Sequence, residues 1–206
     1  MIVYAHRGLH GPHAPENTMA AFHAAAAKGW GIETDLRLDA DGEIVLFHDR
    51  VVGDTPVDQL TRRALEAAVG YRVPTLADLL AAALRVPLNL EIKTSAAFDA
   101  AAPYLSRLPT DVLVSSFVHA IPAAVAERHG IESALLLAST PLDLPAPRPR
   151  LRTIVWDFNM ADAATLAAAT AGGWRSIVYG ARTPDEHAFL RASDVAAVIT
   201  DTPDRA

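Results

Sequence analysis

The chain has 206 residues, 51% of them apolar, and carries 18 basic against 24 acidic side chains, for a net charge of −6. That length and apolar content suit one globular core and predict a single domain over 1–206. The acidic balance argues against nucleic-acid binding and stable membrane association, both of which need a cationic field. With no cysteine, a disulfide framework, a thiolate nucleophile and a Cys-ligated zinc site are excluded.

Short apolar, β-favouring runs recur at 2–5, 31–35, 88–92, 112–116, 134–137, 153–156, 176–179 and 195–200, separated by helical or loop segments. Continuous apolarity marks strands buried on both faces, and alternation with helices marks a parallel sheet. These units predict a compact α/β protein, a (β/α)8 TIM barrel. The first helix is expected from Asn17 or Thr18 to Gly29, with Thr75/Asp78 and Thr183/Glu186 as capping boxes further on. Asp39-Ala40-Asp41-Gly42 is a turn sequence, so 33–38 and 44–48 read as an antiparallel hairpin that returns His48 to the level of Glu33 and Asp35. Between Ser139 and Arg152 four prolines forbid a regular helix, so an extended loop replaces one outer helix. The eighth strand is left with at most a stub of helix behind it. The first strand opens at residue 2 without a leader pattern before it, and every apolar run is far shorter than the ~20 residues of a spanning helix, so a cytoplasmic protein is expected.

In a barrel of this kind the chemistry sits at the C-terminal ends of the strands. His6, Glu33, Asp35, Glu91, Lys93 and Ser116 all fall there, and the hairpin adds His48. Glu33, Asp35 and Glu91 are hard oxygen ligands, predicting one divalent metal, Mg2+ or Ca2+, rather than zinc. Two histidines beside such a metal suit a reaction that takes one proton from a nucleophile and gives one to a leaving oxygen, which assigns acid–base roles to His6 and His48. Arg7 and Lys93 are placed on the phosphoryl oxygens. Glu16 joins the substrate- and phosphate-binding set by orienting Arg7 or a histidine, with helix capping as the alternative it shares with Asn17. Tyr179, with Trp156 and Phe158, is a candidate wall for the organic part of a substrate, or rim packing. His10, His13, His23, His129 and His187 read as loop or helix-surface residues, and Ser116 as a group that packs beneath the site.

His6-Arg7-Gly8, Pro15-Glu16-Asn17-Thr18, Glu33-x-Asp35, Asp41-Gly42, His48-Asp49, Pro74-Thr75-Leu76, Leu90-Glu91-Ile92-Lys93, Ser116-Phe117 and Thr200-Asp201-x-Pro203 together span nearly the whole chain. This ordered set closely resembles the glycerophosphodiester phosphodiesterase family, within the phospholipase-C-like phosphodiesterase superfamily. The resemblance implies a (β/α)8 barrel with a divalent metal on Glu33, Asp35 and Glu91. It also implies an acid–base pair in His6 and His48, and hydrolysis of small glycerophosphodiesters to sn-glycerol 3-phosphate and an alcohol. Where many relatives carry Trp-Thr-Val-Asn on a late strand, this chain has Tyr179-Gly180-Ala181-Arg182, and the added cation is expected to favour a substrate with a further anionic group. Two other readings share the constellation: a cyclising lipid phosphodiesterase, similar to phospholipase D toxins or phosphatidylinositol-specific phospholipase C, and a non-catalytic barrel that binds phosphodiesters.

Overall fold

The computed structural model describes residues 1–109, 111–141 and 143–206. Eight parallel strands close a barrel: β1 (Ile2–Ala5), β2 (Gly31–Leu38), β6 (Leu88–Ile92), β7 (Val112–Ser116), β8 (Ser133–Leu137), β9 (Leu151–Asp157), β10 (Arg175–Tyr179) and β11 (Ala197–Thr200). Closure comes from β1, which pairs with β11 on one side and β2 on the other. A short strand, β3 (Ile44–Leu46), adds antiparallel to β2, and β4 (Val51–Val52) and β5 (Thr55–Pro56) form a separate two-stranded ladder. Helices α1 (Met19–Ala27), α2 (Arg62–Val69), α3 (Leu76–Ala81), α4 (Ser95–Leu105), α5 (Ala120–His129), α6 (Ala163–Ala171) and α7 (Pro184–Ala192) complete the layer outside it.

The continuous apolarity of the strands divides between two cores because successive side chains point to opposite faces. Along β6, Leu88, Leu90 and Ile92 pack outward with Phe22 of α1 and Phe98 of α4. Tyr4, Leu113, Leu136, Val155, Ile177 and Ile199 form a second cluster that fills the barrel interior. The same alternation turns Glu33, Asp35, Asn89 and Glu91 inward; register pairs Glu33 with Asn89 and Asp35 with Glu91. Burying four polar side chains in one patch is unfavourable without strong partners, and this patch defines the site.

Both expected capping boxes are present, with Pro184 opening α7. Thr18, rather than Asn17, caps α1 through its side chain to Ala21 N, and the helix stops at Ala27. Among the described residues, no helix lies between β8 and β9, and only a 3-10 turn at Pro203–Arg205 follows β11. Proline accounts for the first of these: it lacks the amide hydrogen an interior helical turn requires. No helix is long and apolar enough to cross a membrane among the described residues.

Candidate active site

The ends of β1 and β11 run side by side, Ala5 opposite Thr200, so His6 and Asp201 leave the barrel as neighbours. His6 Nδ1 lies 2.6 Å from Asp201 Oδ1, and its Nε2 lies 3.9 Å from Glu33 Oε2. Burial acts to lower the His6 pKa, but the Asp201 hydrogen bond and the charge of Glu33 outweigh it and raise the value above the ordinary imidazole range. His48 arrives from the other side of the site. Phe47 N donates to Asp35 O at 3.0 Å and Arg37 Nε donates to His48 O at 2.7 Å, which folds the chain after β3 back toward β2. The Nδ1 of His48 is 2.9 Å from Asp49 Oδ1. Each histidine thus has Nδ1 against a carboxylate, which fixes the tautomer that leaves Nε2 for chemistry.

Arg7 has a positive φ of 56° and Gly8 one of 81°. A Cβ on Gly8 would stand 2.8 Å from the Ala21 carbonyl carbon, so only glycine lets this turn lie against α1. The turn aims Arg7 N at Glu33 Oε2, 3.1 Å away, and sets Nη1 2.8 Å from both carboxylate oxygens of Glu16. Glu16 therefore reaches the site through Arg7. Asn17 also has a φ of 56°, a conformation its side chain tolerates. Its amide nitrogen donates to Asp35 Oδ2 at 2.8 Å and its oxygen accepts from Thr34 Oγ1 at 2.6 Å. The Asn17 side chain is consequently a clamp on Asp35 rather than a helix cap, because the left-handed turn points it into the barrel, while its backbone N donates to Arg7 O at 2.9 Å.

Glu33, Asp35 and Glu91 are all buried, each offering an oxygen within 4.8 Å of the others. Lys93 lies between two of them, its Nζ 2.7 Å from Asp35 Oδ1 and also hydrogen-bonded to Glu91 Oε1. Burial would raise the Asp35 carboxyl, but the charge of Lys93 and hydrogen bonds from Lys93 and Asn17 hold it below the usual range. Burial and the adjacent charge of Asp35 push Glu33 up to about 8. Burial likewise raises Glu91. One lysine cannot satisfy three buried carboxylates: Lys93 bonds Asp35 and Glu91, and burial holds the Glu33 carboxyl high. The donor set is all oxygen and its spacing suits ions with metal–oxygen bonds of ~2.0–2.6 Å, so the residues fit Mg2+ or Ca2+.

These groups floor a cavity of about 520 Å³ lined by His6, Arg7, Glu33, His48, Glu91, Lys93 and Tyr179. Asp35 lies beneath that lining, 1% exposed. Asp157, Phe158, Asn159, Arg182 and the exposed Phe117 also line the cavity. Asp157 accepts from Asn159 Nδ2 at 2.8 Å and hydrogen-bonds Tyr179, whose hydroxyl pKa is raised by burial and by the Asp157 charge. Trp156 is no part of the wall: it is 1% exposed and donates through Nε1 to Ser176. Its position follows from strand parity, since neighbours of an inward residue point outward. For the same reason Ser116 faces away from the cavity, donating to Ile92 O and accepting from Val118 N. His187 is fully buried behind β11 rather than on a surface, and His10 joins the site through Asp201, 3.3 Å away.

The model for the glycerophosphoryl diester phosphodiesterase family matches residues 6–133, which carry His6, Glu33, Asp35, His48 and Glu91. The chain belongs to this family. The "Probable glycerophosphodiester phosphodiesterase 2" of Mycobacterium tuberculosis is 36% identical over 127 residues, 56% of this chain and 48% of the relative. The glycerophosphodiester phosphodiesterase of Caldanaerobacter subterraneus is 36% identical over 111 residues, 45% of each chain. This phosphodiesterase-family chain spans about half the length of the curated relatives it matches. Its barrel superposes on a glycerophosphodiester phosphodiesterase from Parabacteroides distasonis with a TM-score of 0.84 at 20% identity, covering 98% of this chain and 93% of that one. The same TM-score, at 22% identity and covering 100% and 94%, relates it to an Oleispira antarctica phosphodiesterase in complex with the product sn-glycerol-3-phosphate. At these identities the likeness establishes the shared fold.

Proposed function

We propose that this single barrel domain hydrolyses glycerophosphodiesters, small-molecule substrates that yield sn-glycerol 3-phosphate and an alcohol. The observation that carries the reading is the pair of histidines, each tied at Nδ1 to a carboxylate, facing one cavity above three buried carboxylates. Simple phosphate binding has no use for two oriented proton carriers. Family membership supports the same reading.

In this proposal Glu33, Asp35 and Glu91 hold one divalent metal. Bound there, the metal supplies positive charge against the phosphoryl oxygens as they gain charge. Arg7, fixed by Glu16, and Lys93, fixed by Asp35 and Glu91, meet the remaining phosphoryl oxygens with hydrogen-bond donors. His6 takes the proton of the attacking oxygen at Nε2, and His48 returns one to the leaving oxygen. Tyr179 and Phe158 border the organic part of the substrate. Mg2+ is the preferred ion, in keeping with a cytoplasmic setting, where free Ca2+ is scarce.

The test is release of glycerol 3-phosphate from glycerophosphoethanolamine, glycerophosphocholine and glycerophosphoglycerol with Mg2+, Ca2+ or EDTA, using His6→Ala as the control. Metal-dependent release that this substitution reduces by about 10²–10⁴-fold is expected. Folded, metal-binding protein that releases glycerol 3-phosphate from none of the three would overturn the substrate assignment.

A further inference from the structure

Asp201 lies outside the metal cluster and outside the acid–base pair, yet it organises the histidine on which the proposed reaction depends. Its Oδ1 lies 2.6 Å from His6 Nδ1 and 3.3 Å from His10 Nε2. An ionised carboxylate can only accept, so both facing ring nitrogens carry protons. In neutral His6 the lone pair must then reside on Nε2, the nitrogen on the Glu33 side of the ring. Rotation of the ring about its Cβ–Cγ bond, or a change of tautomer, would break this bond first.

The turn carrying Asp201 is itself held from behind. Thr200 Oγ1 lies 3.3 Å from both His187 Nε2 and Thr202 Oγ1 and accepts from Thr202 N at 3.1 Å. Asp201 is thus flanked by two residues anchored to a buried side chain of α7, while its own carboxylate projects forward, 57% exposed. An exposed carboxylate rotates freely unless both sides are held. His10 provides the second hold, on the very oxygen that His6 uses.

We propose that Asp201 is a positioning residue that sets the tautomer and ring orientation of His6, and that His10 keeps Asp201 in that pose. The kinetic part rests on the phosphodiesterase reading above; the tautomer part does not. His10 therefore acts two bonds removed from the reacting atoms, and its loss shows as a smaller kcat with an unchanged metal requirement.

The experiment compares wild type with Asp201→Ala, Asp201→Asn, His10→Ala and His10→Gln, all metal-loaded and matched for folding by circular dichroism. Asp201→Ala and Asp201→Asn are expected to lower kcat by about 10²–10⁴-fold with KM changed little, since asparagine can present a donor and permit the wrong tautomer. His10→Ala is expected to lower kcat on the order of 10-fold, with His10→Gln restoring most of it because an amide also donates to a carboxylate. Nitrogen-15 NMR of neutral His6 reads the tautomer directly: Nδ1–H in wild type, a mixture in Asp201→Ala. Wild type that turns over no diester, with Nδ1–H still observed, would defeat the phosphodiesterase reading and leave the positioning role standing. Nε2–H in wild type, an Asp201→Ala enzyme within twofold of wild-type kcat, or His10→Ala and His10→Gln that behave alike would overturn the proposal.

Discussion

Replacing Lys93 with methionine removes one cation and keeps the aliphatic stem, so the change isolates the charge. Lys93 Nζ stands 2.7 Å from Asp35 Oδ1, and the two side chains are 11% and 1% exposed, so solvent screening relieves little of the interaction. At an effective dielectric of ~20, unit charges at that separation attract by about 6 kcal/mol. Desolvation of the ammonium returns part of this, and breaking a buried pair by removing one partner costs about 3–5 kcal/mol net. For a domain of this size, each kcal/mol moves Tm by about 2–4 °C, so metal-free Lys93→Met is expected to melt roughly 6–20 °C below wild type. The same vacancy makes the carboxylates a better cation site. Added Mg2+ should therefore raise Tm more in the variant than in wild type; saturation at ~100 times Kd corresponds to about 2.7 kcal/mol. Differential scanning calorimetry with EDTA and with Mg2+ measures both effects. A metal-free variant within 1 kcal/mol of wild type, or equal stabilisation of the two by metal, would refute the view that Lys93 offsets uncompensated charge at Asp35 and Glu91.

Asn17→Ala removes the 2.8 Å donor to buried Asp35; urea denaturation should show a loss of about 1.5–3 kcal/mol, and isothermal titration a metal affinity lower by about 10–100-fold. Arg182→Ala tests the expectation that this cavity-wall cation favours a diester with a further anionic group. The kcat/KM ratio for anionic over zwitterionic diesters should fall by about 10-fold, and an unchanged ratio would count against that role. The His187 pKa is lowered by burial and by nearby Arg191. Its neutral form is then favoured by folding, so its contribution is present above the unfolded value of ~6.5 and is lost as pH falls below it. Stability measured from neutral to mildly acidic pH should decline less steeply in His187→Gln than in wild type.

Most of the barrel could be read from one-dimensional pattern because each strand is buried on both faces and leaves an apolar run. The boundaries of β1, β6 and β7 needed nothing more. β2 extends to Leu38, beyond its apolar run of 31–35, and there the turn sequence Asp39-Ala40-Asp41-Gly42 is the signal: it places the hairpin arm over 33–38, and β3 pairs with Leu36–Leu38. Trp156 shows the complementary limit. An aromatic residue near a strand end has equal standing on either face until register fixes parity, and parity here sends Trp156 outward while Asp157 lines the cavity.

The site divides along a similar line. Glu33, Asp35, Glu91 and Lys93 were legible because i, i+2 spacing on a strand determines a shared face without reference to any other segment. Asp201 and His10 were not, because their relation to His6 depends on barrel closure, which pairs the first strand with the last across 195 residues of sequence. Asn17 failed to reveal itself for a local reason. Pro-Glu-Asn-Thr before an apolar helix reads as capping chemistry, and Thr18 does cap; only the positive φ at Asn17 turns its amide inward to Asp35. Polar residues beside helix starts in such barrels thus have two destinations, the helix or the strand ends, and backbone handedness chooses between them. The signal available in advance is small: asparagine is the residue best suited after glycine to the left-handed region, and it sits one position before a threonine already sufficient as the cap.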